Sequence, residues 1–142
     1  EEPRAVLSDQ YPLHLLVWRK PWERMSQSQN DPILAEFCPE NCATMNPELA
    51  RSIGVEEGDY VWVESVVGKI KIRVHLTAGI RPDCVAVDHG FGHWSTGLSV
   101  AHNMGSNDGD LIPNLTVAGQ LEAGCPGMAA FMEDVAVRVY RA

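Results

Sequence analysis

Residues 46–76 read NPELARSIGVEEGDYVWVESVVGKIKIRVHL, and this stretch decides the fold. Its first part predicts a short helix, because Asn46 is a good N-cap, Pro47 suits the first helical position and Gly54 fits the left-handed position after the last turn. The remainder, residues 60–76, predicts a hairpin whose second strand alternates apolar with polar side chains. One face of that strand is therefore expected in a core and the other in water.

The polar face of the second hairpin strand is basic, with Lys69, Lys71 and Arg73. Such a face can bind phosphate, but a solvated strand face is the commoner explanation. Carboxylates such as Glu64 are natural cross-strand partners there. We therefore expect a structural role for this face.

Outward from the hairpin, apolar runs predict four further strands, over residues 11–18, 42–45, 84–88 and 135–141. A short turn or helix is expected over residues 31–36 and a short helix over 95–104, while 117–126 has no clear pattern. About six short strands with short helices indicate a mainly β, mixed α/β fold. A small closed barrel satisfies this pattern, because closure leaves no exposed strand edge.

The composition suits one domain over residues 1–142, with 45% hydrophobic residues. Lys and Arg number 11 against 19 Asp and Glu, which gives a net charge of −8. An acidic chain without a basic cluster argues against nucleic acid and direct membrane contact, and no apolar run reaches the length of a membrane span. The first residues lack the apolar region of a signal peptide, and the compartment stays open between cytoplasm and periplasm of a prokaryote.

Metal binding is not expected from the cysteines, which are Cys38, Cys42, Cys84 and Cys125. A structural zinc site needs four ligands in paired spacing, so these residues are expected to be buried thiols. His89 and His93 have the spacing HxxxH, but the glycines between them argue against the helix that would place both on one face.

Two glycine-rich polar stretches follow the later strands: residues 88–94, DHGFGHW, and residues 105–110, GSNDGD. A third polar segment, residues 19–30, follows the first strand. Glycine lets a backbone approach a ligand closely, while histidine and tryptophan supply hydrogen-bonding groups and a flat apolar face. Well-ordered turns have the same composition. We predict that the two glycine-rich loops lie at one end of the barrel and hold a large organic cofactor.

The order of these features resembles the carboxy-terminal, molybdopterin-dinucleotide-binding domain of the DMSO-reductase superfamily of molybdenum or tungsten oxidoreductases. Residues 45–61, MNPELARSIGVEEGDYV, are the most specific part and are similar to the family pattern I-N-P-x-x-A-x-x-x-G-I-x-x-G-D-x-V. GIRP at 79–82, HGFGH at 89–93 and GSNDGDLIP at 105–113 follow in the family order. The motif DHGFGH looks most similar to the corresponding motif of the polysulfide, thiosulfate and arsenate reductase branch.

The resemblance implies a double-psi β-barrel, as in aspartate decarboxylase, whose loops bind molybdopterin guanine dinucleotide (as bis-MGD) and help to enclose an active site. It implies that molybdenum or tungsten is held through the pterin, with the protein ligand outside this chain, so no catalytic or metal-ligating residue is expected here. By position in the family, the expected cofactor-binding residues are Trp18, Arg19, Lys20, Ser26, Ser28, Asn30, His89, Gly92, His93, Trp94, Asn107 and Asp110. Arg19 and Lys20 suit a diphosphate, and Asn107 and Asp110 suit a guanine edge.

The implied partners are the remaining domains of the same catalytic subunit, with iron–sulfur and membrane-anchor subunits beyond it. No redox turnover is expected from this chain alone. One alternative is a small separate subunit, as in formylmethanofuran dehydrogenases. Another is a stand-alone double-psi barrel that binds proteins, as in some AAA ATPases, which predicts an exposed apolar patch. A third is an autonomous enzyme resembling aspartate decarboxylase, with a pyruvoyl group made at the Gly105–Ser106 bond.

Overall fold

A computed structural model describes residues 7–113 and 135–142. Its elements are β1 (Leu13–Trp18), α1 (Pro32–Phe37), β2 (Cys42–Met45), α2 (Pro47–Ile53), β3 (Tyr60–Glu64), β4 (Lys69–Leu76), β5 (Cys84–Asp88), a 3-10 helix (Asp108–Leu111) and β6 (Val135–Arg141). The six predicted strands are confirmed, with ends that differ from the prediction by at most two residues. The unassigned residues 117–126 lie outside the described residues.

The strands close into a barrel in the order β1-β5-β2-β4-β3-β6. β1 pairs parallel with β5 and β2 with β4, while the other four pairings are antiparallel. Two parallel pairings between strands distant in sequence belong to a double-psi β-barrel, so the predicted fold is confirmed. Alternate side chains such as Val61, Ile72 and Val137 fill the interior and are fully or almost fully buried. Their removal from water is the main stabilising contribution to the barrel.

Helix α2 has the predicted caps. The Asn46 side chain accepts a hydrogen bond from the Glu48 amide at 2.9 Å, and Gly54 ends the helix with φ of 70°. The Asn46 amide group also donates to the Ile80 carbonyl at 2.7 Å, which ties the start of the helix to the connection before β5. Among the described residues, no helix is long and apolar enough to cross a membrane.

The helix that we expected over residues 95–104 is wrong, because this segment forms turns. The amides of Val100 and Ala101 donate to the Asn30 side-chain oxygen, at 2.9 and 3.2 Å, instead of donating to carbonyls four residues earlier. The Asn103 amide donates to a carbonyl in the turn after β5, and its φ of 57° is left-handed. Contacts with Asn30 and His93 therefore replace part of the helical ladder, while the His102 amide still donates to the Leu98 carbonyl at 3.2 Å.

The basic face of β4 packs against aromatic rings of β3. Lys69 Nζ lies 4.7 Å from the centre of the Trp62 ring, and Lys71 Nζ lies 5.3 Å from the centre of the Tyr60 ring. Cation–π contacts of this kind stabilise a solvent-exposed strand pair. Glu64 lies opposite Lys69 in the strand register, but its hydrogen bonds go to β6.

The carboxylate of Glu64 should contribute to stability in a pH-dependent way. Hydrogen bonds from Arg138 and Tyr140, at 2.7 Å each, hold the pKa of Glu64 below its ordinary value of 4.5. A carboxylate with a lower pKa in the folded chain stabilises the fold above its unfolded pKa, and that contribution is lost as pH falls through the folded pKa. In Glu64→Gln we expect the free energy of unfolding to depend less on pH below about 4.5. Urea unfolding of the wild type and the variant at several pH values tests this prediction. Parallel profiles of the free energy of unfolding against pH would contradict it.

Candidate functional site

Loops that follow β1 and β5 leave the barrel side by side. The two strands run parallel with Trp18 opposite Asp88, and the His89 amide donates to the Trp18 carbonyl at 2.9 Å. Because the carboxyl ends of these strands meet, loop A (residues 19–30) and loop B (residues 89–95) start at the same end of the barrel.

Asn41 holds a third loop, loop C (residues 105–110), against the same end. Its buried side chain donates to the carbonyls of Asp88 and Ser106, at 3.0 and 2.8 Å. Its oxygen accepts the Ser106 amide at 2.9 Å. One side chain therefore joins the start of β2, the end of β5 and loop C. The prediction that the two glycine-rich loops lie at one end of the barrel is confirmed.

Two glycines let loop B touch loops A and C. Gly92 has φ of 77°, and a Cβ on it would lie 2.4 Å from the Asn107 backbone nitrogen. Gly90 has φ of 96°, and a Cβ on it would lie 2.5 Å from the Met25 carbonyl oxygen. Side chains do not fit at such distances, so the approach of the three backbones requires glycine at both positions.

A cavity of about 420 Å³ opens between the three loops. Its lining consists of Ser26, His89, Gly90, Phe91, Gly92, His93, Trp94, Ser95 and Asn107. The volume falls in the range of small-molecule sites, and it suits one part of a dinucleotide. At its edge Trp94 is 84% exposed, so its flat ring has almost no packing within the chain.

His89 is held in the cavity wall by a buried carboxylate. Asp108 is 1% exposed, and its Oδ2 lies at hydrogen-bond distance, 2.9 Å, from His89 Nδ1. Its Oδ1 accepts the Gly90 amide at 3.4 Å. The sequence pattern had indicated Asp110 in this stretch, whereas the side chain that reaches loop B is Asp108.

A family model described as "Molydopterin dinucleotide binding domain" matches residues 13–116. The chain belongs to this family. The match covers 104 of the 142 residues and includes all three loops. It confirms the resemblance inferred from residues 45–61, and molybdopterin is therefore the cofactor of the family to which the loops belong.

Known relatives of this molydopterin-binding domain are much longer proteins. The molybdopterin-containing subunit of thiosulfate reductase from Salmonella typhimurium is 35% identical over 89 residues, which are 63% of this chain and 12% of that subunit. Formate dehydrogenase subunit alpha from Megalodesulfovibrio gigas is 32% identical over 139 residues, 94% of this chain and 13% of that subunit. Acetylene hydratase from Pelobacter acetylenicus shares the fold, with a TM-score of 0.77 and 18% identity over 100% of this chain and 21% of that one.

Six of the twelve residues expected to bind the cofactor line the cavity of the molydopterin-binding domain: Ser26, His89, Gly92, His93, Trp94 and Asn107. The six that do not line it are Trp18, Arg19, Lys20, Ser28, Asn30 and Asp110.

Several of these six hold the loops in shape. Ser28 Oγ accepts the Arg24 amide at 2.8 Å, and Asn30 caps the turns at residues 100–101. Asp110 accepts a hydrogen bond from the Asn107 side chain at 3.1 Å. Their contact with cofactor stays a prediction.

Lys20 lies against a buried acid. Its Nζ is 3.3 Å from Asp88 Oδ1, and the Asp88 side chain is fully buried. Trp18 packs nearby, with its ring centre 5.9 Å from the same Nζ. Arg19 is exposed on loop A. Of the two cations expected at a diphosphate, Lys20 is thus the one that pairs with a buried carboxylate within the described residues.

The environment of Cys38 and Cys42 favours the protonated thiol in both residues. Burial raises the pKa of the Cys38 thiol to about 12, and the carboxylates of Glu23 and Asp88 contribute, so the thiol is protonated at neutral pH. Cys38 and Cys42 are free thiols, but they are half-buried and not buried as we expected, whereas Cys84 is buried; Cys125 lies outside the described residues. Over residues 7–113 and 135–142, no group of three His, Cys, Asp or Glu is placed to hold a metal ion.

Proposed function

We propose that this chain, as a single domain, holds molybdopterin guanine dinucleotide for a molybdenum or tungsten oxidoreductase of which it is one part. The observation that carries this proposal is the convergence of loops A, B and C on one cavity. Two of its relatives are the molybdopterin-containing subunit of thiosulfate reductase and subunit alpha of formate dehydrogenase, which supports a redox context. We propose the bis-MGD form of the cofactor, with the metal held through the pterin and its protein ligand outside this chain.

The lining fits a heterocyclic cofactor. His89, His93 and Asn107 offer hydrogen-bonding groups of both kinds to the edges of a ring, and Trp94 offers a face on which a ring can stack. The glycines of loop B allow a ligand to approach the backbone closely. Exposed Arg19 is a suitable cation for a diphosphate.

When bound, the cofactor supplies the redox-active metal and its two-electron chemistry. The residues of this chain bind and orient the cofactor and shield one side of it from water. We propose that the isolated domain is inactive, because the metal ligand and the catalytic side chains are expected in other parts of the larger protein.

Trp94→Ala tests the cavity directly. Because the side chain is 84% exposed, we expect the free energy of unfolding to change by less than about 0.5 kcal/mol. Loss of ring stacking worth about 1 kcal/mol should lower cofactor retention about fivefold. Retention is measured as pterin fluorescence after oxidative release from the full-length protein. Val66→Ala, at the exposed β3–β4 turn, is the control, and equal retention in both variants would contradict the proposal.

An exposed apolar patch favours a second role in protein contact. Within the described chain, α1 buries none of its residues; Ile33 and Phe37 are 67% and 70% exposed on one face of it. The Trp22 ring, 47% exposed, lies 6.4 Å from the Phe37 ring. We call these three residues the α1 patch. A stand-alone protein-binding barrel predicts such a patch, but it assigns no role to the polar loops.

We infer that the α1 patch packs against the remaining domains of the same catalytic subunit. The chain covers only 12–13% of two curated relatives, so those proteins contain much more chain against which an exposed apolar face can pack. The patch also belongs to the segment that contributes Ser26 to the cavity. A domain seated on the patch would thus lie beside the cofactor.

Polar substitution of the patch should lower stability only in the full-length subunit, where another domain can pack on it. Ile33→Ser with Phe37→Ser is expected to leave the stability of the 142-residue chain nearly unchanged and to lower the melting temperature of the full-length subunit by several degrees. Val66→Ser with Val67→Ser, at similarly exposed positions, is the matched control. The melting temperature of each double variant is measured in the 142-residue chain and in the full-length subunit, and is compared with that of the wild type. Equal shifts for the two double variants in the full-length subunit would contradict a contact at the patch.

A further inference from the structure

The Asp108–His89 pair sets the hydrogen-bonding character of the cavity wall. Both oxygens of Asp108 are used by loop B, one by His89 Nδ1 at 2.9 Å and the other by the Gly90 amide at 3.4 Å. The Asp108 side chain is 1% exposed and that of His89 is 21% exposed. The imidazole is therefore held through Nδ1 by a buried carboxylate, and His89 is at the same time part of the cavity lining.

The chemistry of the pair selects one tautomer of the ring. An ionised carboxylate only accepts hydrogen bonds, so the single ring proton of a neutral His89 lies on Nδ1. Nε2 then carries a lone pair, and it belongs to a side chain that lines the cavity. With the ring neutral, the wall therefore offers an acceptor at this point.

Elsewhere in the chain the same kind of pair occurs in water. His75 Nδ1 lies 3.0 Å from Glu57 Oε1, but both side chains are more than half exposed. Water competes for the ring and the carboxylate there, so the tautomer of His75 is much less constrained. Burial distinguishes the cavity pair from this surface pair, which provides an internal control.

We propose that Asp108 is a positioning residue that fixes His89 as a hydrogen-bond acceptor, so that the cavity selects a ligand edge carrying an N–H donor. This inference rests on the proposed function, in which the ligand is a pterin or guanine ring, because both present ring N–H and amino groups at their edges. Asp108 itself does not touch the ligand and acts through the ring of His89.

Asp108→Asn should reverse the polarity of the site. The Gly90 amide needs an acceptor, so the amide oxygen of the new side chain stays opposite Gly90 and its NH₂ group meets His89 Nδ1. The ring proton then moves to Nε2, and the wall presents a donor. His89→Asn is the complementary variant: its amide still donates to Asp108 but has no atom in the place of Nε2.

Nitrogen NMR of the ¹⁵N-histidine-labelled 142-residue chain reads the tautomer without cofactor. At alkaline pH we expect a protonated Nδ1 and an unprotonated Nε2 for His89, the reverse in Asp108→Asn, and no change of the His89 signals in Glu57→Gln. A protonated Nε2 in the wild type, or a tautomer mixture such as that expected for His75, would overturn the inference.

Cofactor retention in the full-length protein tests the consequence. We expect retention to fall about tenfold in both Asp108→Asn and His89→Asn and to be unchanged in Glu57→Gln. Should Asp108→Asn fold poorly, His89→Asn decides, because it keeps the bond to the buried carboxylate. Wild-type-like retention in His89→Asn overturns this inference and leaves the proposed function intact. If the wild-type protein binds no pterin, both the proposed function and the selection of a pterin or guanine edge are overturned. The tautomer of His89 is tested separately by the NMR experiment, which needs no cofactor.

Discussion

Replacing Gly92 with alanine is expected to destabilise the chain by about 3 kcal/mol and to abolish cofactor retention. The left-handed φ of 77° costs an alanine about 1 kcal/mol by itself. Its Cβ would in addition lie 2.4 Å from the Asn107 nitrogen and 2.8 Å from the Ser106 carbonyl carbon. Backbone atoms cannot rotate away, so loops B and C must separate and the cavity between them is lost.

Gly58→Ala is the matched control for this prediction. Gly58 has φ of 83°, and a Cβ on it would meet nothing within 4 Å. It should therefore cost only the conformational term of about 1 kcal/mol and leave cofactor retention unchanged. Urea unfolding of both variants separates the cost of a left-handed φ, which both variants share, from the cost of the clash with loop C, which only Gly92→Ala has. Equal destabilisation would show that loops B and C are not in backbone contact.

Replacing Lys20 with methionine is expected to destabilise the chain by about 2 kcal/mol, because it leaves the fully buried carboxylate of Asp88 without its cation. The value is smaller than for a fully buried pair, since the Lys20 side chain is 26% exposed. In the double variant with Asp88→Asn, the cost should be much smaller than the sum of the two single costs.

This double-mutant cycle also separates the two roles of Lys20. The family resemblance implies that it contacts the cofactor, whereas the structure pairs it with Asp88. If Lys20→Met leaves the free energy of unfolding unchanged and lowers cofactor retention, the cation serves the ligand. If both quantities fall and Asp88→Asn restores stability, the main role of Lys20 is the ion pair with Asp88, and the loss of retention is a consequence of the lower stability.

Local patterns were sufficient to predict the barrel because its strands and caps depend on near neighbours. Alternation along β4 puts Ile70, Ile72 and Val74 inside, whatever the rest of the chain does. The ends of α2 depend on Asn46 and Gly54, which act within a few residues of themselves. The family pattern over residues 45–61 then indicated the barrel type.

The site could be predicted only as a set of loops, because its decisive contacts are long-range. Asn41 acts on Ser106, which lies 65 residues later, and the fragment Cys-Pro-Glu-Asn-Cys gives no sign of it. Asp108 and Asp110 look equivalent in sequence, but only Asp108 is buried. Asn30 was predicted to contact the cofactor. Its side-chain oxygen also accepts hydrogen bonds from the amides of Val100 and Ala101, in the segment where a helix was predicted.

Hydrogen–deuterium exchange of the cofactor-loaded protein against the cofactor-free protein tests the central claim most directly. If loops A, B and C hold the cofactor, amides of residues 89–95 and 105–110 should gain protection on loading, with a smaller gain over 19–30. Amides at the β3–β4 turn, residues 65–68, should exchange equally in both states. Unchanged exchange in loops B and C, with protection elsewhere on the barrel, would contradict the claim that this cavity is the cofactor site.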